Sequence, residues 1–76
     1  MKNRIIEILI SIRPESDFSQ STDYISDGLL DSFDMIMLVS ALDKTFGISI
    51  DGADIVPENF SQTEAIEALL IRSGAI

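Results

Sequence analysis

A chain of 76 residues with no cysteine and no histidine excludes disulfides and thiolate metal sites, and lacks the side chain on which most neutral-pH acid–base catalysis depends, so an enzyme is not expected. Its 46% apolar and 24% charged content suits one small folded domain over residues 1–76 rather than a disordered chain, and no apolar run is long enough to cross a bilayer. The net charge is −8, with twelve acidic residues against one basic residue, Lys44, between Pro14 and Ile71; such a field repels nucleic acid and draws in basic protein surfaces, besides keeping a small protein soluble.

The opening residues Met1-Lys2-Asn3-Arg4-Ile5-Ile6 faintly resemble a leader peptide. Glu7 interrupts the apolar stretch and no small-residue cleavage site follows, so the segment reads as a helix. From about Lys2 to Arg13, the residues Ile5, Ile8, Leu9 and Ile12 fall at i, i+3, i+4 and i+7, the helical repeat. Arg13 suits the negative end of the helix dipole, and Pro14 makes continuation unfavourable. Pro14 to Asp31 is rich in Ser, Asp, Thr and Gln and reads as a long loop, anchored by Phe18, Tyr24, Ile25, Leu29 and Leu30. A second helix is predicted from Ser32 to about Phe46, burying Met35, Leu38, Val39, Leu42 and Phe46 and closed by Gly47 in a left-handed conformation. Ile48-Ser49-Ile50 reads as an extended link, and Asp51 to Val56 as one short helical turn closed by Pro57. Ser61-Gln62-Thr63-Glu64 matches a capping box with Ser61 as the cap. The last helix then runs to about Arg72, burying Ala65, Ile66, Leu69 and Leu70, and ends at Gly74. Short connections after the second helix favour an all-α bundle.

Chemistry concentrates in Asp27-Gly28-Leu29-Leu30-Asp31-Ser32-Phe33-Asp34, which places a serine where a loop becomes a helix. The amides of a first helical turn are unpaired and that end of the dipole is positive, so a phosphate ester on Ser32 sits in a favourable field. Asp31 and Asp34 flank it, offering carboxylates on which a modifying enzyme can dock or share a divalent cation. The ordinary role of a serine at a helix start is the N-cap, and the spacing around Ser32 does not by itself identify a modification.

Asp31-Ser32-Phe33-Asp34, followed by Ile36, Leu38-Val39, Ala41-Leu42, Phe46 and Ile50, resembles the acyl carrier protein family. In that family an Asp-Ser pair and a large apolar residue open the second helix. The order and length of the segments agree from about Arg4 to Arg72. The resemblance implies an all-α, four-helix acyl-carrier-like bundle with a short third helix and a long first loop. It implies that Ser32 covalently receives 4′-phosphopantetheine from coenzyme A, through a magnesium-dependent phosphopantetheinyl transferase, with Asp31 as the flanking acidic residue. The thiol of that arm then carries an acyl or aminoacyl group as a thioester. Its suppliers and users are an acyl- or aminoacyl-activating ligase and acyl-transfer enzymes of fatty acid, polyketide or peptide biosynthesis. The implied carrier is a cytoplasmic monomer that needs no catalytic residue, metal, membrane or nucleic acid of its own.

The partner-facing residues expected from the resemblance are Phe33, Asp34, Ile36, Met37, Asp43 and Ile50. Met37 and Lys44 stand where fatty-acid carriers often have glutamates. Phe33, Ile36 and Met37 either form an apolar patch beside the serine or, for Ile36 and Met37, broaden the buried stripe. Ile50, Ile55 and Val56, with Met35, Leu42 and Phe46, either line a cleft for the acyl chain or are ordinary core, the reading that helical spacing favours. Gly28-Leu29-Leu30 looks like D-alanyl carriers and some specialised stand-alone carriers, whereas Asp34 resembles the fatty-acid type, so no single pathway follows. A helical interaction module that kept the fold and lost the arm is the competing function.

Overall fold

Periodicity of apolar residues in three stretches becomes three α-helices in the computed structural model, which describes residues 1–75: α1 (Lys2–Ile12), α2 (Ser32–Phe46) and α3 (Thr63–Arg72). Among the described residues there is no strand, and α1 packs against both α2 and α3. The buried stripe of α1 is Ile5 and Leu9, that of α2 is Met35, Leu38, Val39 and Leu42, and that of α3 is Ile66, Leu69 and Leu70. These side chains form one cluster with Phe18, Tyr24, Leu30, Ile50 and Phe60 from the connections.

Helix α1 stops because Pro14 forces the residue before it out of the helical region. Arg13 has φ −131° and ψ 74°, although its amide still reaches the Leu9 carbonyl at 2.9 Å. Helix α2 stops at Gly47, whose φ of 66° and ψ of 38° lie in the left-handed region. The amides of Gly47 and Ile48 both turn back to the Asp43 carbonyl. A β-carbon there meets open space, so Gly47→Ala carries only the backbone strain. It is expected to cost about 1 kcal/mol in urea melts.

The long first connection is ordered by its own groups. Asp17 caps a 3₁₀ turn at Phe18–Gln20, and Phe18 and Tyr24 stack edge to face with centroids 5.0 Å apart. The Asp23 carboxylate accepts the amides of Ile25 and Ser26, and the turn closes at Gly28 with φ 77°. The Leu29 and Leu30 amides then donate to the Tyr24 carbonyl at 2.9 and 3.1 Å, which delivers the chain to Asp31. Tyr24 also ties this loop to the start of α3: its hydroxyl and that of Thr63 are hydrogen-bonded at 2.7 Å in the core, and its amide donates to the Ser61 carbonyl at 2.7 Å.

Two expectations are corrected. A fourth, short third helix is not formed; its place holds two 3₁₀ turns, Gly52–Asp54 and Pro57–Phe60. Asp51 caps the first by accepting the Ala53 amide at 3.0 Å. Val56, preceding a proline, is extended at φ −131° and ψ 152°, and no helix passes through it. Pro57 therefore opens a second turn at its first position, where a missing N–H costs nothing, instead of closing the first. The Ser61–Glu64 capping box is also absent. The Ser61 hydroxyl donates backward to the Glu58 carbonyl at 3.1 Å. Gln62 is the N-cap residue without a side-chain cap; its side-chain Nε2 donates instead to the Thr22 carbonyl at 2.5 Å.

Candidate functional site at the start of α2

The first turn of α2 is held by a reciprocal pair of carboxylates. Asp31 is extended, at φ −115° and ψ −176°, and its Oδ1 accepts the Asp34 amide at 2.9 Å. Asp34 Oδ2 reaches back to the Asp31 amide at 3.0 Å. This is the capping box, in which each residue's side chain accepts the other's otherwise unpaired backbone amide. Ser32 is thus the first residue inside the helix and not its cap. It is exposed, and its hydroxyl takes no part in the capping bonds.

The box uses the amides of Asp31 and Asp34, so the two between them, those of Ser32 and Phe33, face the positive end of the helix without a capping partner. An anion attached through the Ser32 oxygen is compatible with that end. The side chains of Asp31 and Asp34 oppose it, but a cation lies between them. Arg13 Nη2 is 2.7 Å from Asp34 Oδ2 and 3.4 Å from Asp31 Oδ2, and Nη1 is 3.3 Å from Glu15 Oε2. Arg13 was expected to serve the end of its own helix; it serves the beginning of the next one. Pro14 is the sequence signal for this, since a residue pushed out of the helical region no longer points its side chain along the helix.

Electrostatics of the pair follow from this geometry. Burial works to raise the Asp34 pKa, but the Arg13 hydrogen bond, the Asp31 amide and the Arg13 charge together hold it below the ordinary aspartate value. The Asp34 hydrogen bond and neighbouring carboxylates raise Arg13 further above its already high value. A lowered carboxyl pKa adds stability above its unfolded value of about 3.9, and that stability is lost as pH falls from there through the folded value. Asp34→Asn is therefore expected to lower stability near pH 7 on the order of 1 kcal/mol, between an exposed ion pair and a hydrogen bond to a charged group. The difference from the parent should close on acidification below about pH 4. Urea melts at pH 7, 4 and 2.5 check this; a gap that persists at the lowest pH contradicts the linkage.

The other expected site residues divide between surface and core. Phe33, Ile36 and Met37 are 65%, 62% and 45% exposed and lie at i, i+3 and i+4 of α2, so they form an outward patch next to Ser32 and do not widen the buried stripe. Asp43 is half-buried, and its Oδ1 accepts the Ile50 amide at 3.0 Å, fastening the link after α2. Asp34 and Ile50, expected at a partner surface, are both buried. Asp34 is 6% exposed, and both its position and its charge are taken up by Arg13 and the capping box. Ile50 is buried in the common cluster, because the bond to Asp43 turns that link inward. Met35 and Leu42 are buried in the same cluster, with Phe46 and Ile55 packed against it, as ordinary core requires; Val56 is half-buried.

Clefts lie elsewhere. One of about 320 Å³ runs between α1, the first loop and the start of α3, and includes Lys2, Ile6, Phe18, Tyr24 and Thr63. Another of about 270 Å³ lies between the Asp23 turn and Pro57–Glu58. Among the described residues no three of Asp and Glu converge as a metal-binding group, and no helix is long and apolar enough to cross a membrane.

No family model matches this chain, and no curated protein or solved structure does either.

Proposed function

We propose that this protein is an acyl carrier whose Ser32 bears 4′-phosphopantetheine, and that it presents an acyl or aminoacyl group to biosynthetic enzymes in the cytoplasm. The reading is supported by the resemblance of Asp31-Ser32-Phe33-Asp34 and its downstream apolar frame to the acyl carrier family, and by an all-helical fold. The observation that carries it is the division of labour at the start of α2. Asp31 and Asp34 do the capping, so the Ser32 hydroxyl is exposed and uncommitted to it. A serine whose purpose was to cap the helix would stand one position earlier, its oxygen accepting a first-turn amide.

The residues present fit a pendant phosphodiester. An exposed hydroxyl sets no steric limit on an arm, the Ser32 and Phe33 amides lie at the positive helix end, and Arg13 offsets one of the two flanking carboxylates. When bound, the arm supplies a flexible reach and a terminal thiol that holds the cargo as an activated thioester. The chain's own part is to hold Ser32 outward and to offer a surface to the transferase, the activating ligase and the acyl-transfer enzymes. Phe33, Ile36 and Met37 supply apolar contact, and Asp31, with the acidic surface around it, draws in basic partners. Neither task needs a catalytic residue.

Incubation with coenzyme A, magnesium and a broad-specificity phosphopantetheinyl transferase tests the proposal by intact mass. The expected result is one added phosphopantetheine per chain. A folded chain that stays unmodified with several active transferases supports the interaction module without an arm.

A further inference from the structure

We propose that Arg13 is a positioning residue for the modification of Ser32. It locks the helix start on which the hydroxyl stands, and it withdraws negative charge from the place where an anionic phosphate must approach. The inference rests on the carrier reading of Ser32.

Asp34 Oδ2 receives Arg13 Nη2 at 2.7 Å and the Asp31 amide at 3.0 Å. The cation that ends α1 and the backbone immediately before Ser32 thus share an acceptor. Through Asp34 Oδ2, Arg13 fixes the extended conformation of Asp31, and through Asp31 Oδ1 that residue fixes the first turn. Arg13 also reaches Asp31 directly at 3.4 Å, so the guanidinium joins both residues that bracket Ser32.

Charge points the same way. In the transfer, the Ser32 oxygen forms a bond to the phosphorus of the pantetheine phosphate. The phosphoanhydride bond to the adenosine bisphosphate leaving group breaks, and the hydroxyl proton passes to a base on the transferase. The coenzyme A phosphates that arrive at Ser32 in that step are anionic, with magnesium offsetting part of their charge, and Ser32 lies between two aspartates. Among the described residues no other cation, Arg4 included, is in salt-bridge contact with either aspartate. Lys2 pairs with Glu64 at 3.7 Å, and Arg72 is hydrogen-bonded to Asn59. Lys44 follows Ser32 by twelve residues on the same helix, or about 18 Å at 1.5 Å per residue. That is about twice the screening length at physiological salt. Arg13 is the cation that sets the local balance.

The test compares transferase kinetics, with coenzyme A as donor, on the parent, Arg13→Met and Arg13→Lys, each confirmed as helical by circular dichroism at the assay temperature. For Arg13→Met, kcat/KM is expected to fall about tenfold at low salt, with the deficit shrinking as salt screens the bare aspartates. Arg13→Lys, which keeps the charge, should recover most of the rate. Amide exchange at Asp31 and Asp34 should quicken in Arg13→Met while that of Leu69 and Leu70 in α3 does not. Modification of folded Arg13→Met at the parental kcat/KM overturns the inference and leaves the carrier reading standing. So does a deficit that trimethylamine N-oxide removes in full or that Arg13→Lys shares, since either marks a purely structural role. A parent that takes no arm overturns the carrier reading, and this inference with it.

Discussion

Ser32→Ala is expected to abolish phosphopantetheine addition completely while leaving the fold in place. The completeness follows from chemistry: with the hydroxyl gone there is no oxygen to form the phosphodiester, and no neighbouring side chain on the first turn can substitute. Phe33 has no nucleophile, and Asp31 and Asp34 are occupied in capping each other's amides. The survival of the fold follows from position. Were Ser32 the cap, alanine would cost about 1 kcal/mol. It stands instead at the first helical position, exposed, where alanine is a good helix former and a surface change stays within about 0.5 kcal/mol. The thermal midpoint should therefore move by no more than about 4 °C in a domain of this size. Intact mass after transferase treatment and a thermal melt read the two halves separately. A variant that loses the arm and also melts much earlier would mean that Ser32 carries structure that the Asp31–Asp34 box does not.

Phe60→Ala is expected to have the largest effect on stability. Phe60 is fully buried, and it closes the second of the two 3₁₀ turns that replace a third helix. Such turns have few backbone bonds of their own, so their position depends on what they bury. Truncating a buried phenylalanine costs about 3–5 kcal/mol. A 76-residue chain is expected to have only about 4–11 kcal/mol in total, at 0.05–0.15 kcal/mol per residue. The variant should thus be largely unfolded at 37 °C or close to it, with a urea midpoint well below that of the parent and a similar slope. Binding and modification should fall only with the folded fraction, since Phe60 is remote in sequence from Ser32 and makes no part of its first turn. A loss under about 1 kcal/mol would show that the turns are held by something other than Phe60.

Where local patterns alone decide the outcome, the sequence was a good guide. Of the expected stripes, Ile5, Leu9, Met35, Leu38, Val39, Leu42, Ile66, Leu69 and Leu70 are buried and Ile8, Ile12, Phe46 and Ala65 are half-buried, and α2 starts at Ser32 and ends before a left-handed Gly47. Phe18, Tyr24 and Leu30 are the buried anchors of the long loop, with Ile25 and Leu29 packed beside them. What local patterns missed depends on partners distant in the chain. Ser61 and Glu64 have the spacing of a capping box, but Gln62 bonds to Thr22 and Tyr24 bonds to Ser61, and those contacts set where α3 begins. No short third helix passes Val56 and Pro57, because the proline that stops one turn also starts the next. At the site, the Asp31–Ser32–Asp34 spacing was visible, but its assignment was not. A cap at Asp31 and a cap at Ser32 differ by one residue, and only the folded geometry separates them. The pairing of Arg13 with Asp34 spans 21 positions, and nothing within a helical window announces it. It also explains why Asp34, which looked like a surface acid beside Ser32, is turned inward.

The central claim is that the exposed hydroxyl of Ser32 holds the arm. Fragment-ion mass spectrometry of the chain recovered from the cells that make it tests this most directly. The peptide spanning Ser32 is expected to carry phosphopantetheine, fragmentation to eject the pantetheine with any acyl cargo still attached, and no other peptide to do so. Recovery of that peptide unmodified from cells whose other carriers are fully loaded, or of the arm on a different residue, would contradict it.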